Sequence, residues 1–598
     1  MSHHKCLGRY GYALKESELT PDDIAKIRKD LTVTPVVLAA YCPVKPKSYR
    51  IYYRDKEFYY VPRFWGIENF GPPDYVALSS GLPMNPESKC TFDPMPHQKE
   101  AFKKLNEIFP PGCPESKQLG DGGVLSLPCG YGKTFCAIKT ACSLGLKTLI
   151  IVPTECLMDQ WAEAIHGFAP GAKVGFIQRD RIETEGRDFV VAMLHSICLK
   201  DYSPKIFDQF GLTVYDECHH IGSETFCQSV MKIRTKYILG LSATPNRKDG
   251  LSEVFYRFMG PLFHREKRSG SNQIIIKKLS VHSNDEGYNV LYLPGGTKNT
   301  SGMVTAVSQM EERNQLIIHV LGELCRQGRR ILLLSSRKQH LHRIKEMLDE
   351  AKILHPVTGN PITYGFYYGK QGMNRQTHKA LLAESAKSDI VLGIDIIAKE
   401  GLDIPDRNTL VWSTPPGVEI EQPAGRILRK YHKDINPMII DIVDHTGNFV
   451  NHSSARDKWF TEEDYIIHNH TVELLNCPDM WKSHVADYIH KMKMTPLLKR
   501  KKSKIEKEKE EAEKGPDLTQ CFLNNENGDA PVQVQVQVQV QVPLKKKVAT
   551  PRAASGARAA SAAPTNNLCY LPYTAVTRDS SAKDKPIAKE PDVNKCLL

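Results

Sequence analysis

The chain has 598 residues, 41% of them apolar and 25% charged, which fits a globular protein of two or more domains. No apolar run is long enough to span a bilayer and the polar start, Met1-Ser2-His3-His4-Lys5, is not a secretory signal, so a soluble, intracellular protein with no membrane partner is expected. Net charge is +12; residues 491–598 hold 20 Lys+Arg against 12 Asp+Glu, leaving 60 against 56 for the rest, so the positive charge is concentrated in a tail that either binds phosphate backbones non-specifically or stays solvated.

Sixteen cysteines are scattered without a Cys-x-x-Cys pair, which argues against a zinc ribbon or a redox motif. Cys129, Cys136, Cys142 and Cys218 fall in motif or core segments and are expected to be small buried thiols.

Residues 1–90 carry no nucleotide motif and are expected to form a small N-terminal accessory domain. Their aromatic stretch, 49–64, interleaves Tyr52, Tyr53, Phe58, Tyr59 and Tyr60 with Arg50, Arg54 and Lys56. Aromatics beside cations can stack bases. In a short β-rich unit they more often form core, and core is the expectation.

From residue 91 to 262 short β-branched runs (124–127, 148–152, 189–194, 212–215 and 237–241) alternate with helical stretches and end at polar or glycine-rich turns. Buried parallel strands joined by helices look like this, and their ligands bind beyond the carboxyl ends. The first run leads into Leu127-Pro128-Cys129-Gly130-Tyr131-Gly132-Lys133-Thr134 and a helix rich in Ala, Ile and Leu. Glycines let backbone N–H groups curl round phosphate oxygens at a helix N-terminus. Lys133 would reach the β- and γ-phosphates and Thr134 would ligate Mg2+, although Leu127 stands where the full phosphate-loop pattern has its first glycine. Asp216 and Glu217 follow the run 212–215: Asp216 would hold the metal, and Glu217 would orient and deprotonate an attacking water. Adjacent acids at a strand end also occur in plain turns, and this pair gains its meaning from the phosphate loop upstream. Ser242-Ala243-Thr244 ends another apolar run and can link the γ-phosphate site to a second lobe.

Residues 263–310 read as a less regular connector, and a second set of runs (330–335, 362–368, 389–394, 409–413 and 438–443) marks a lobe over 311–475. There Glu400-Gly401-Leu402-Asp403-Ile404-Pro405 follows a strand, and Gln422, Gly425, Arg426 and Arg429 share one helical face at i, i+3, i+4 and i+7. Arginines so placed can act as fingers on a transferring phosphate, or can pair with surface acids. Residues 476–598 read as a basic low-complexity tail, with a Lys/Glu run at 499–514 and a Val-Gln alternation at 532–542 between Pro531 and Pro543.

Together these strings resemble the motifs of superfamily 2 helicases over about 92–445. The loop ending at Lys133-Thr134 is similar to motif I, 149–161 to motif Ia and Asp216-Glu217-Cys218-His219 to a DEAH-type motif II; Gly401 with Asp403 and Gln422 through Arg429 resemble motifs V and VI. The wording Asp-Glu-Cys-His-His, followed by Leu-Gly-Leu-Ser-Ala-Thr-Pro-Asn-Arg-Lys-Asp-Gly, is most similar to the XPB/Ssl2-like branch and, within it, to helicases of large DNA viruses, including poxviral transcript-release helicases. The resemblance implies an α/β protein of two tandem RecA-like lobes with parallel sheets, the N-terminal accessory domain and a disordered C-terminal tail. It implies ATP and Mg2+ as cofactors, with Gln98 and the loop 127–134 binding nucleotide and Gly401 and Asp403 joining them. Lys133, Asp216, Glu217, Gln422, Arg426 and Arg429 would be catalytic, and His219, Ser242 and Thr244 would couple the lobes. Met95 stands where many relatives carry an arginine before the adenine-reading glutamine, and the Arg-Glu-Asp triplet of cellular XPB relatives is absent. The implied function is a monomeric DNA-dependent ATPase and helicase, with 3′-to-5′ polarity typical, acting in viral transcription with transcription machinery, in host cytoplasm, nucleus or virion. An RNA helicase, a double-strand translocase that never separates strands, and a non-catalytic nucleic-acid-binding scaffold are the other readings.

Overall fold

Uninterrupted aliphatic and β-branched runs become strands that are buried on both faces, because each strand is flanked by parallel neighbours and covered by helices above and below. In the computed structural model residues 5–36, 46–112, 119–247, 249–266, 274–369, 372–395, 404, 406–428, 432, 435–474 and 478–490 are described. All lie within one compact unit, 1–513.

The first large sheet has the order Arg181–Ile182, Val174–Gln178, Phe189–Met193, Thr148–Val152, Leu212–Tyr215, Tyr237–Ser242, Asp121–Ser126 and Leu262–Arg265. Every pairing is parallel except the two-residue edge strand Arg181–Ile182. Val124, Leu149 and Ile151 fill a core on one face, and Leu125, Ile150 and Val152 fill one on the other. The second sheet is wholly parallel, in the order Tyr364–Tyr367, Ile390–Ile394, Ile331–Ser335, Thr409–Trp412, Met438–Asp444, Ile275–Ser283 and Ile466–Leu474. The ten expected runs all coincide with strands, with ends displaced by up to three residues, and the sheets also hold Val174–Gln178, Arg181–Ile182, Leu262–Arg265 and Ile466–Leu474, outside those runs.

Two segments differ from expectation. Ile275–Ser283, inside the stretch read as a connector, is a nine-residue strand of the second sheet. Its centre carries Lys277 and Lys278, which disguise an apolar run; both are buried, Lys278 by pairing with Asp457 at 2.6 Å and Lys277 by donating to the Tyr488 carbonyl. Pro478–His490, inside the stretch read as tail, is a helix that places Trp481, Val485 and Ile489 in the second core. The Lys/Glu run and the Val-Gln repeat lie outside the described residues.

The N-terminal residues build a third sheet in the order Tyr53–Arg54, Phe58–Val61, Gly11–Lys15, Lys5–Gly8 and Tyr75–Val76. Its inner face (Leu7, Tyr12, Leu14, Tyr59 and Val61) belongs to the same apolar cluster as Val124 and Leu149 of the first large sheet. Tyr49 and Tyr59 are core as expected, whereas Tyr53 is 54% exposed, because strand alternation sends neighbouring side chains to opposite faces. Tyr49 also donates its hydroxyl hydrogen to the carbonyl of Gly222 in the first lobe.

Candidate active site

Asp121–Ser126 is a central strand of the first sheet, and the chain leaves its carboxyl end through the loop 128–132 to start the helix Lys133–Leu144. Gly130 and Gly132 have φ of 83° and 81°, a left-handed conformation that side chains disfavour and that turns successive N–H groups inward. A Cβ at Gly132 would also stand 2.3 Å from Gln98 Nε2. Gln98 is buried, and both ends of its amide are engaged: Nε2 donates to the Tyr131 carbonyl at 3.0 Å, and Oε1 accepts from the Met95 N–H at 2.9 Å. Gln98 therefore braces the loop from behind. A phosphate seated in this loop would meet backbone donors and the positive end of a three-turn helix.

Leu212–Tyr215 lies two strands away and ends at the acid pair. Trp161 Nε1 donates to Asp216 Oδ2 at 2.8 Å, and the Glu217 N–H donates to Asp216 Oδ1 at 2.9 Å. Glu217 itself sits in the left-handed region (φ 47°, ψ 50°), a strained position for a side-chain residue. That twist turns its carboxylate back toward Lys133, whose Nζ stands 4.0 Å from Oε1 and 3.5 Å from the Leu127 carbonyl.

The electrostatics separate the two acids. Burial, and then the Glu217 carboxylate, push the Asp216 carboxyl up to about 6. Burial alone would raise Glu217 as well, but Lys133, His219 and Arg426 pull it below the usual carboxylate range. Burial works against the Lys133 ammonium, and Glu217 more than compensates, holding it above its ordinary value. Adjacent carboxyls pushed in opposite directions are a common arrangement where acid and base roles are divided. The donor set also fits Mg2+: a buried carboxylate that a cation would keep ionised, and the hydroxyl-bearing Thr134 in the first turn of the helix that follows the loop. Among the described residues no group of three or more His, Cys, Asp or Glu side chains forms a protein-only cage. Mg2+ ordinarily takes few protein ligands and completes its shell with water and phosphate oxygens.

Of the remaining expected residues, His219 Nδ1 lies 3.2 Å from Ser242 Oγ and 3.4 Å from Glu217 Oε2, and Ser242 Oγ accepts from the Thr244 N–H at 3.1 Å. A polar chain therefore runs from the acid pair to the end of the neighbouring strand. From the second lobe, the helix Glu421–Arg426 brings Gln422 Nε2 to 3.5 Å from Glu217 Oε2, at the outer limit of a hydrogen bond. Arg426 is buried nearby, close enough for its charge to act on both Glu217 and Lys133. Gly401, Asp403 and Arg429 lie outside the described residues.

Sequence reading missed several members of this site. Nothing in the pattern pointed to Trp161 as the donor that orients Asp216. Arg247 donates to the His219 carbonyl at 2.6 Å while paired with Asp249, and steadies the turn after the acids. Cys136 and Cys218 are buried as expected, but Cys129 and Cys142 are only partly buried, and Cys129 faces the second lobe: a Cβ on Gly425 would come within 2.8 Å of Cys129 Cβ.

Comparison with known proteins finds the sequence profile of the type III restriction enzyme res subunit over residues 91–247. The chain is 33% identical to an Acanthamoeba polyphaga mimivirus protein described as an ATP-dependent RNA helicase, over 81% of this chain and 90% of that protein. It is 27% identical to a helicase of invertebrate iridescent virus 6, over 58% and 78% of the two chains. It is also 26% identical to the DNA 3′-5′ translocase XPB2 of Sulfurisphaera tokodaii, over 54% and 77%. Among the described residues no helix is long and apolar enough to cross a membrane.

Proposed function

The chain belongs to the superfamily 2 helicases and is an ATP-dependent enzyme that acts on nucleic acid, and from that premise we propose that it is a monomeric motor running on DNA, of viral origin and at work in transcription. The observation that carries the reading is the convergence of Lys133, Glu217 and Gln422, contributed by two lobes, on one point beyond the strand ends.

In this reading ATP lies against the loop 127–134 with Gln98 behind it. Lys133 moves from Glu217 to the β- and γ-phosphates, freeing the Glu217 carboxylate. Thr134 and Asp216 hold Mg2+, which supplies neutralisation of phosphate charge; Trp161 keeps the Asp216 oxygen pointed inward. Glu217 takes a proton from the water that attacks the γ-phosphorus, while the bond to the ADP oxygen breaks. Arg426 and Arg429 stabilise the charge that spreads over the transferring group, and Gln422 holds the base from the opposite side. Gly401 and Asp403 join the nucleotide-binding residues. The chain His219–Ser242–Thr244 reports the state of the γ-phosphate to the lobe interface, so that closure and reopening move a strand bound across both lobes.

The test is steady-state ATP hydrolysis with no polymer, single-stranded DNA, duplex DNA and RNA, each repeated with Lys133→Ala. Stimulation by DNA that disappears in the variant is the expected result. A response to RNA alone would favour the RNA reading, for which the name of the mimivirus relative speaks. Stimulation by duplex without strand separation would make the protein a translocase, and no turnover on any polymer would favour the scaffold.

A further inference from the structure

The outer face of the N-terminal sheet is built unlike the rest of the surface. Tyr53 stands opposite Tyr60, Tyr60 opposite Ala13, Ala13 opposite Cys6, and Cys6 beside Tyr75. One row therefore crosses all five strands on the side away from the core. Tyr10, at the hairpin between the first two strands, leans over the same face, its ring 5.6 Å from Tyr60 and 6.4 Å from Tyr53; Tyr53 and Tyr60 are 5.8 Å apart, and Phe58 is 6.2 Å from Tyr60. Tyr10, Tyr53 and Tyr75 are 45%, 54% and 49% exposed. Exposed large side chains normally occur singly, and a contiguous set marks a binding surface.

Charge narrows the occupant. Lys15 lies opposite Phe58 on this face and makes no ion pair among the described residues, and the Arg9 guanidinium sits 5.4 Å from the Tyr10 ring. The acid at the rim, Asp55, is consumed by internal donors: the Glu57 and Phe58 N–H groups and the Tyr60 hydroxyl. Glu16, which alternation sends to the opposite face, is paired with Arg54. A cluster of part-exposed rings beside a lysine without a carboxylate partner among the described residues suits a ligand that is aromatic and anionic at once. We propose that the outer face of the N-terminal sheet is a stacking platform for single-stranded nucleic acid, with bases lying on Tyr10, Tyr53 and Tyr60 and phosphates near Lys15. Base–aromatic stacking tolerates any sequence, because every base has a π-face. The platform is anchored to the motor, since the opposite face of the sheet shares the first lobe's core and Tyr49 holds the Gly222 carbonyl at the end of the turn that begins at Glu217.

The test uses the full chain and two double variants, Tyr53→Ala with Tyr60→Ala and Tyr53→Phe with Tyr60→Phe, in fluorescence anisotropy with labelled oligo(dT) and oligo(U). The alanine pair is expected to bind roughly 10- to 100-fold more weakly, while the phenylalanine pair, which keeps the rings, binds like the parent. An iodouracil-substituted oligonucleotide is expected to crosslink to Tyr10, Tyr53 or Tyr60 on irradiation. Undiminished binding by the alanine pair, with crosslinks confined to the lobes, would overturn the platform and assign the face to a protein partner. Equal losses in both pairs would also overturn it, because stacking would not be what was lost. Unchanged urea midpoints exclude a folding defect. The outcome is separable from that of the motor: polymer-stimulated hydrolysis with intact binding by the alanine pair leaves the motor and removes the platform. Ring-dependent binding without any stimulated hydrolysis does the reverse.

Discussion

In the second lobe Arg313 and Asp444, both fully buried, meet through two charge-assisted hydrogen bonds of 2.6 and 2.8 Å; Tyr288 donates to the same carboxylate and the Ser413 carbonyl takes a further guanidinium proton. Arg456 and Asp441 repeat the pattern, with Pro416 supplying the extra carbonyl. In the first lobe Lys133 reaches Glu217 only at 4.0 Å, and burial together with the Glu217 carboxylate pushes Asp216 up to about 6. Both lobes bury charge near the carboxyl ends of parallel strands. The second spends its charges on one another, which fixes a loop; the first holds a longer pair and one carboxyl pushed toward neutrality, which is the pattern of a reactive site. Saturation, more than burial, separates scaffold from chemistry here.

The sharpest break of this contrast would come at the lobe interface. Arg426→Ala is expected to slow ATP hydrolysis by roughly 10³–10⁵-fold with nucleotide affinity nearly unchanged, read by single-turnover hydrolysis and fluorescent-nucleotide titration. A large loss of affinity at an undiminished rate would make Arg426 a scaffold residue like Arg313. Glu217→Gln should cost about 10²–10⁴-fold in turnover while ATP still binds, and undiminished turnover would remove the base assignment. On the scaffold side, Arg313→Met leaves Asp444 uncompensated and should lower stability by about 3–5 kcal/mol in urea unfolding, with much of it regained by adding Asp444→Leu. Lys133→Met, by the same measurement, should lower stability less than Arg313→Met does, because its 4.0 Å contact with Glu217 is longer than the Arg313–Asp444 bonds and His219 and Arg426 still act on that carboxylate.

A further effect, seen only in acid, concerns His340, packed beside the Arg313 pair. Its Nε2 lies 2.8 Å from Asn314 Oδ1, and burial followed by the Arg313 charge holds the imidazole down to about 3. The unfolded chain binds the proton near 6.5 while the folded one does not, so stability is complete above that pH and declines below it. At pH 5 the loss is about 2 kcal/mol, and His340→Gln should flatten that part of the pH profile relative to the parent. An unchanged slope would mean that the imidazole is not buried in neutral form.

Much of the motor could be read from residue order alone. The runs at 148–152 and 212–215 coincide with strands because nothing but aliphatic, threonine and tyrosine side chains occupies them, and the glycines of the loop at 130 and 132 do adopt the left-handed turn their type suggests. What escaped depends on contacts between distant parts of the chain. Lys277 and Lys278 hid a central strand because a lysine reads as surface until its partners, Tyr488 and Asp457, are known. Trp161 stood in the string that resembles motif Ia with no role of its own, and only the fold brings its ring N–H to Asp216. Glu217 belongs to a residue type that ordinarily avoids a positive φ, so its reversed backbone had no local signal.

The inner face of the N-terminal sheet has one more implication. Leu7, Tyr12, Leu14 and Trp65 are stitched into the same apolar cluster as Val124 and Leu149, and Arg63 caps the carbonyl of Lys236 at the start of a central strand. The boundary near residue 90 is therefore a border in sequence but a seam in space. A protein trimmed to its helicase motifs would present a freshly exposed greasy flank, and its sluggishness or insolubility would say nothing about the engine itself. Natural variation in the first ninety residues would, by the same token, reach the catalytic turn without touching a motif.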